Sequence, residues 1–291
     1  YPSAQQCLQY DRHSSELWNR NFGHKDFLYQ RLGLGDQPFQ VSIEIPKEKF
    51  TLLNDSLLEK PIMIKSEFET LKQVPIGISL MEKTLIGLVG GEGKRGAIQM
   101  MHMLVAGITA AHSYTDVKLV FVYRELEHEK QKEWECMRWF PHIWSEDKRT
   151  RYMASNKIET SDVFFELSGI IRNRSEEAES QLGKPKTFVK PHYVLFVSDP
   201  SILEEEILKK YIYEAKPEYG VTTFLMVETL EQLPNECEEV IESHDHVHCV
   251  YNLLDTEHGK TPFIPDMVTK ETLEKFGKTL ANIRINETES S

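Results

Sequence analysis

The stretch Gly90-Gly91-Glu92-Gly93-Lys94-Arg95-Gly96 follows directly on the apolar run Leu85-Ile86-Gly87-Leu88-Val89 and leads into a second apolar stretch from about Ala97 to Ala111. A strand, a glycine-rich turn and a helix together make a cradle for phosphate. Glycines let the backbone approach, amides point inward, and the helix start offers its positive dipole end. The P-loop pattern is G-x-x-x-x-G-K-[ST]. Gly93-Lys94 supplies the G-K pair with Gly91 just before it, but the expected first glycine falls on Leu88 and the hydroxyl position on Arg95. That hydroxyl ordinarily ligates the Mg²⁺ that bridges two phosphates. A guanidinium cannot ligate a cation, although it pairs well with phosphate oxygens. The turn is thus read either as a phosphate site without magnesium or as a plain structural glycine turn, a common feature of α/β folds.

A second position bears on the same chemistry. The run His192-Tyr193-Val194-Leu195-Phe196-Val197 ends at Ser198-Asp199. In P-loop ATPases such a strand ends in a carboxylate that holds Mg²⁺, beside a residue that orients water. Ser198 would then replace the metal-holding carboxylate and Asp199 would shorten the other. The competing reading is that Ser198-Asp199-Pro200 caps the next helix. Both departures remove a magnesium ligand, and their agreement predicts a P-loop plan that does not hydrolyse ATP efficiently.

Other constellations are less pointed. In Ser243-His244-Asp245-His246-Val247-His248 the three histidines would share one face if the segment were a strand, and Zn²⁺ accepts such a set. Surface imidazoles at a polar strand end are the plainer reading. Trp134, Trp139, Phe140 and Trp144 are expected to pack under a sheet, a partner-docking patch being the alternative, and Met100, Met101 and Met103 to fill core along a buried helix. Cys7, Cys136, Cys237 and Cys249 show no paired spacing and read as reduced thiols. Asn173-Arg174-Ser175 and Asn286-Glu287-Thr288 match a glycosylation sequon by chance, no secretory signal preceding them. No Ser-His-Asp or Cys-His spacing stands out.

The elements that would position these residues follow from periodicity. Val117–Tyr123, Tyr193–Val197, Val221–Val227 and Val247–Tyr251 read as strands, buried and mostly apolar. Helical segments are expected over Glu125–Arg138, from a cap at Thr160-Ser161-Asp162 towards Ser180, over Ser201–Ala215 and over Lys270–Ile283. Buried strands alternating with helices predict an α/β fold, a mostly parallel sheet with helices on both faces. Ahead of it, Phe39-Val41-Ile43-Ile45 alternates with polar residues, so residues 1–80 are expected to form a small β-rich subdomain and linker. Residues 76–80 and 85–89 flank Glu82-Lys83 as a predicted hairpin. Residues 81–285 make the main domain and 286–291 a polar tail.

Among 291 residues, 46 acidic and 34 basic side chains give a net charge of −12, which opposes nonspecific binding to nucleic acid or an anionic membrane. No apolar run is long enough to span a bilayer. The opening Tyr1-Pro2-Ser3-Ala4 reads as the start of a soluble piece of a longer chain.

Several segments resemble one family in order. Leu17-Trp18-Asn19-Arg20, Asp26-Phe27-Leu28 and Arg31-Leu32-Gly33-Leu34-Gly35 resemble the region after the transmembrane helices of EssC/EccC-type, FtsK/SpoIIIE-like ATPases of type VII secretion. Trp139-Phe140-Pro141-His142, Glu228 to Pro234 and Leu280 to Arg284 resemble later parts of it. The resemblance implies a RecA/FtsK-like P-loop fold and a membrane-proximal, degenerate ATPase module at the cytoplasmic face of a bacterial membrane. It would be tethered by helices outside this chain within a multimeric secretion complex. Gly91, Gly93, Lys94 and Arg95 would occupy the P-loop slot, Ser198 and Asp199 the metal-strand slot, and Thr229 the sensor slot. No cofactor is assigned: the slot could take ATP or stay empty, with magnesium opposed by Arg95 and Ser198. Other subunits and modules are the implied partners, secreted proteins being handled downstream. An active but atypical ATPase and a DNA-translocase-like module are the alternatives.

Overall fold

The computed structural model describes residues 1–38, 70–124, 127–184 and 189–285. Its strands are β1 (Tyr29–Pro38), β2 (Thr70–Ser79), β3 (Leu85–Val89), β4 (Val117–Val122), β5 (Met153–Ala154), β6 (His192–Val197), β7 (Val221–Val227), β8 (Glu239–His244), β9 (Val247–Asn252), β10 (Thr261–Pro262) and β11 (Ile264–Pro265). The α-helices are α1 (Ala4–Cys7), α2 (Arg95–Ala111), α3 (His128–Glu135), α4 (Lys157–Ser180), α5 (Leu208–Tyr213) and α6 (Lys270–Ala281).

The large sheet has the order β10-β9-β8-β3-β7-β6-β4-β5. Neighbours from β8 to β5 run parallel, and β9 and β10 extend the sheet antiparallel. Every residue of β3, β4, β6 and β7 is buried, so both faces need cover, which explains their predominantly apolar sequences, with Lys118, His192, Thr222 and Thr223 as the polar exceptions. Met100, Met101 and Leu104 of α2 join Phe121, Phe196 and Phe224 in one apolar cluster. On the other face Val163, Phe164 and Leu167 of α4 pack with Val120, Val122 and Leu195. Phe121, Phe196 and Phe224 lie opposite one another in register on β4, β6 and β7 and stack, with centroids 5.6 and 4.8 Å apart. The α/β architecture expected from the sequence is present.

The small sheet is antiparallel, in the order β11-β1-β2. Its buried residues Leu32, Ile76 and Ile78 belong to the same cluster as α2, so they share the main core. The expected strand at Phe39–Ile45 lies outside the described residues.

Four expectations are corrected. Residues 76–80 and 85–89 do not form a hairpin: β2 pairs with β1, and β3 with β7 and β8, so the turn between them steps from one sheet to the other. The long helix starts earlier than Thr160. Asn156 is its cap, accepting the Glu159 amide at 2.9 Å, and Thr160 lies inside, its hydroxyl bonded back to the Asn156 carbonyl. The helix expected over Ser201–Ala215 is a 3-10 turn (Pro200–Leu203) followed by α5. The aromatic group divides: Trp134 and Phe140 are buried, whereas Trp139 and Trp144 are each 39% exposed.

Candidate functional site

β3, β7 and β6 lie side by side and end at one edge, where parallel α/β sheets place their ligands. The glycine turn leaves β3 there. Gly91 (φ 73°) and Gly93 (φ 66°) take left-handed backbone conformations open to glycine at little cost. Lys94 takes one as well (φ 58°), a strained choice for a residue with a side chain. Then α2 begins at Arg95, pressed so closely on β8 that a Cβ on Gly96 would sit 1.4 Å from the Ser243 carbonyl oxygen.

The donors of this turn are largely engaged within the protein. The Gly90 amide donates to the Val227 carbonyl (2.9 Å) and the Gly91 amide to the Glu228 carbonyl (3.0 Å). The Lys94 amide donates to Gly91 and the Gly96 amide to Gly90. The Gly93 amide donates to the Glu228 carboxylate at 3.2 Å. A carboxylate thus accepts from an amide of the glycine turn. The Lys94 ammonium donates to the Ser198 carbonyl and, at 3.2 Å, to Asp199.

Asp199 has two tasks, because it also caps the Pro200–Leu203 turn through the Ser201 amide at 2.9 Å. Burial pushes its carboxyl up, but the Ser201 bonds and the Lys94 ammonium outweigh burial and hold it below its ordinary value. The capping reading and the P-loop reading of Ser198-Asp199 therefore describe the same residue.

A cleft of about 580 Å³ opens beside the turn. Of the residues singled out from sequence, Gly93, Lys94, Ser198 and Asp199 line it. Gly91 lies behind the turn, packed near His244. Arg95 is exposed, and its side chain makes no hydrogen bond or ion pair among the described residues. Thr229 caps the turn Leu230–Gln232 in a capping box with Gln232, and Glu228, its neighbour, lines the cleft instead. The cleft also contains Arg124, Lys130, Lys157 and Glu133, which sequence reasoning missed because they come from separate elements. Arg124 is held by the Tyr123 carbonyl and the Thr160 hydroxyl. Burial pushes the Glu133 carboxyl up, against the pull of Lys270, Lys130 and Arg95.

Position 95 offers a guanidinium in place of a hydroxyl, and the Ser198 carbonyl is bonded to Lys94. The residues present do not fit a magnesium–triphosphate held in the P-loop manner.

The histidine run is not a strand face. Asp245 (φ 45°) and His246 (φ 66°) reverse the chain between β8 and β9, so His244 and His248 lie on different strands. His244 meets Glu242 and His248 meets the Ser243 hydroxyl. Among the described residues no group of three His, Cys, Asp or Glu side chains is arranged to hold a metal. The four cysteines are buried and unpaired.

No family model matches the chain. The ESX secretion system protein EccC of Geobacillus thermodenitrificans is 26% identical over 291 residues, covering 97% of this chain and 19% of that protein. YukB of Bacillus subtilis, also an ESX secretion system protein, is 25% identical over 274 residues, 93% of this chain and 18% of YukB. The type VII secretion system protein EssC of Staphylococcus aureus is 20% identical over 268 residues, 92% of this chain and 18% of EssC. The chain spans about a fifth of the length of the curated relatives it matches.

Among solved structures, Thermomonospora curvata EccC (ATPases 2 and 3) in complex with a signal sequence peptide superposes with a TM-score of 0.59 at 13% identity, covering 96% of this chain and 52% of that one. The cytoplasmic domain of the same EccC gives 0.58 at 12% identity, over 96% and 33%. These two likenesses speak for the fold. Taken with the curated relatives, they make the chain a relative of the EccC, YukB and EssC proteins of type VII secretion, with the α/β fold of their ATPase modules.

Proposed function

From this kinship we propose that the chain is a non-catalytic, membrane-proximal cytoplasmic module of a type VII protein-secretion motor. It links membrane helices outside this chain to downstream ATPase modules, which handle the secreted proteins, and it contacts neighbouring subunits of an oligomeric complex. Among the described residues no helix is long and apolar enough to cross a membrane, so attachment is assigned to those other helices.

The observation that carries the reading is the engaged turn. A P-loop stabilises transferring phosphate only with amides and lysine free to meet it. Here the Gly93 amide is taken by Glu228, and Lys94 by Ser198 and Asp199. ATP binding is therefore weak or absent, and magnesium adds nothing to it. The cations Lys94, Arg124, Lys130 and Lys157 around the cleft favour weak, metal-free binding of an anion over none. The net charge of −12 opposes a DNA-translocating role.

Calorimetric titration with ATP, with and without Mg²⁺, tests the reading alongside a turnover assay. The expected result is no gain from Mg²⁺ and no phosphate release above background. Magnesium-dependent turnover that Lys94→Ala abolishes would establish the active-ATPase alternative and overturn the proposal.

A further inference from the structure

A second cleft, of about 550 Å³, lies at the opposite end of the parallel strands, beside the start of β4. Tyr114, Trp139, Trp144 and Lys118 are among the residues that line it. Trp139 is fixed in place: its indole N–H donates to Glu274 at 3.1 Å, and the Arg138 and Lys278 cations lie over its ring at 5.1 and 5.3 Å. Trp139 and Trp144 nevertheless remain partly exposed.

Lys118 is the unusual residue here. Only 4% of it is exposed, so its stem is buried while its ammonium opens on the cleft rather than being sealed in the core. The Tyr114 ring, 5.6 Å away, is its sole described electrostatic contact at close range. Burial pushes Lys118 down to about 8, which Glu146 opposes and Lys148 reinforces. A cation held on a buried stem and presented to an apolar-walled cleft is placed to receive an anion there.

We propose that this cleft is a binding site for a small organic anion, a carboxylate carried on a flat apolar body, with Lys118 accepting the charge and Trp139 and Trp144 covering the ring. The volume lies within the range of small-ligand pockets. One ammonium suits one carboxylate. Phosphate sites instead gather glycine-turn amides or the start of an α-helix, and no glycine is among the lining residues here. Lys148 and Arg284 on the lining outnumber Glu146 and favour the same sign of ligand. The inference is independent of the nucleotide cleft, since it uses none of its residues.

The test is calorimetric titration of the 291-residue chain with 1-naphthylacetate and with its neutral counterpart 1-naphthylethanol. The carboxylate is expected to bind saturably, about tenfold more tightly than the alcohol, and Lys118→Met to weaken it by about tenfold while leaving the alcohol unchanged. Lys118→Arg should retain the preference for the carboxylate. Lys118→Met removes a charge from a buried stem and should unfold at the same temperature as the parent or higher. Should it fail to fold, Trp144→Ala is the second variant, expected to weaken both probes. Equal binding of acid and alcohol, carboxylate binding unchanged in Lys118→Met, full affinity in Trp144→Ala, or no saturable binding of the carboxylate would each overturn the proposal.

Discussion

If Glu228 occupies the anion position of the glycine turn, removing its carboxylate should open that position. Its oxygen lies 3.2 Å from the Gly93 amide, so a phosphate oxygen accepting the same N–H would have to displace it or share its place. Two unit negative charges about 4 Å apart repel by roughly 1 kcal/mol in water and about 4 kcal/mol at an effective dielectric of 20. Glu228 is half-buried at the cleft wall, so the lower part of that range applies. A released charge-assisted amide bond adds about 1 kcal/mol to the anion's side. Glu228→Ala should therefore strengthen binding of metal-free pyrophosphate or ATP by about 2 kcal/mol, on the order of thirtyfold.

The assay is calorimetric titration in EDTA, with the parent chain and Lys94→Ala as companions. Glu228→Gln should give part of the gain, because it removes the charge but keeps an amide oxygen that can accept from Gly93. Lys94→Ala in the Glu228→Ala background should reverse part of the gain, since the lysine is the cation nearest the turn. An affinity in Glu228→Ala equal to that of the parent, with the fold intact by circular dichroism, would refute the idea that the carboxylate blocks the turn.

Stability should also depend on pH through buried imidazoles. Burial pushes His112 down to about 4 and His142 and His192 to about 3, whereas the unfolded chain titrates them near 6.5. Below about 6.5 the unfolded state binds more protons, so stability is full above that pH and falls on acidification towards about 4, with a limiting slope of roughly 1.4 kcal/mol per pH unit for each histidine. A urea midpoint that stays flat between about pH 7.5 and 5 would contradict their neutral burial. Asp266 accepts from Arg31 at 3.0 Å through both oxygens and from the Ala4 amide at 3.1 Å, which ties β1 to the segment after β11. Asp266→Ala leaves Arg31 largely buried and unpaired, and should cost about 3 kcal/mol in denaturant melts. Gly96→Ala drives a methyl into the Ser243 carbonyl oxygen and should cost about 3 kcal/mol or more, read as a lowered thermal midpoint.

The parts of the fold legible in sequence are those where burial is symmetrical. β4, β6 and β7 are covered on both faces, so their sequences are mostly apolar on both alternating sets of positions and identify themselves despite Lys118, Thr222 and Thr223. β8 was missed because Glu239 and Glu242 interrupt it. Their charges are met by Lys83, Asn252, Tyr251 and Lys260, contacts that sequence spacing does not reveal. The false hairpin arose because Glu82-Lys83 has the same local chemistry whether its flanking strands pair with each other or elsewhere. The reversal at Asp245-His246 carries no glycine to announce its left-handed backbone. In the cleft, Lys94 and Asp199 were legible from the turn and strand-end patterns. Glu228 sits one residue before the position chosen by analogy, and only the direction of β7 shows which of the two faces Gly93.

The two substitutions at the cleft are linked through one side chain. In a working P-loop the bound ion and phosphates bridge the glycine turn to the neighbouring strand end, so the bridge forms and dissolves with the ligand. Here Lys94 spans that gap, reaching the Ser198 carbonyl and Asp199 from a strained backbone position. The ion pair is half exposed and contributes at most about 1 kcal/mol. Its importance is positional, because the Gly90, Gly91 and Gly93 amides fix the other side of the turn to β7 and Glu228. A ligand shifts a conformation only by binding two states unequally, and a turn already bridged to both strands offers little difference to exploit. The start of α2 should then hold one place against β6 whether nucleotide is present or not. Such a fixed turn accords with the linking role proposed above better than with a nucleotide-driven switch.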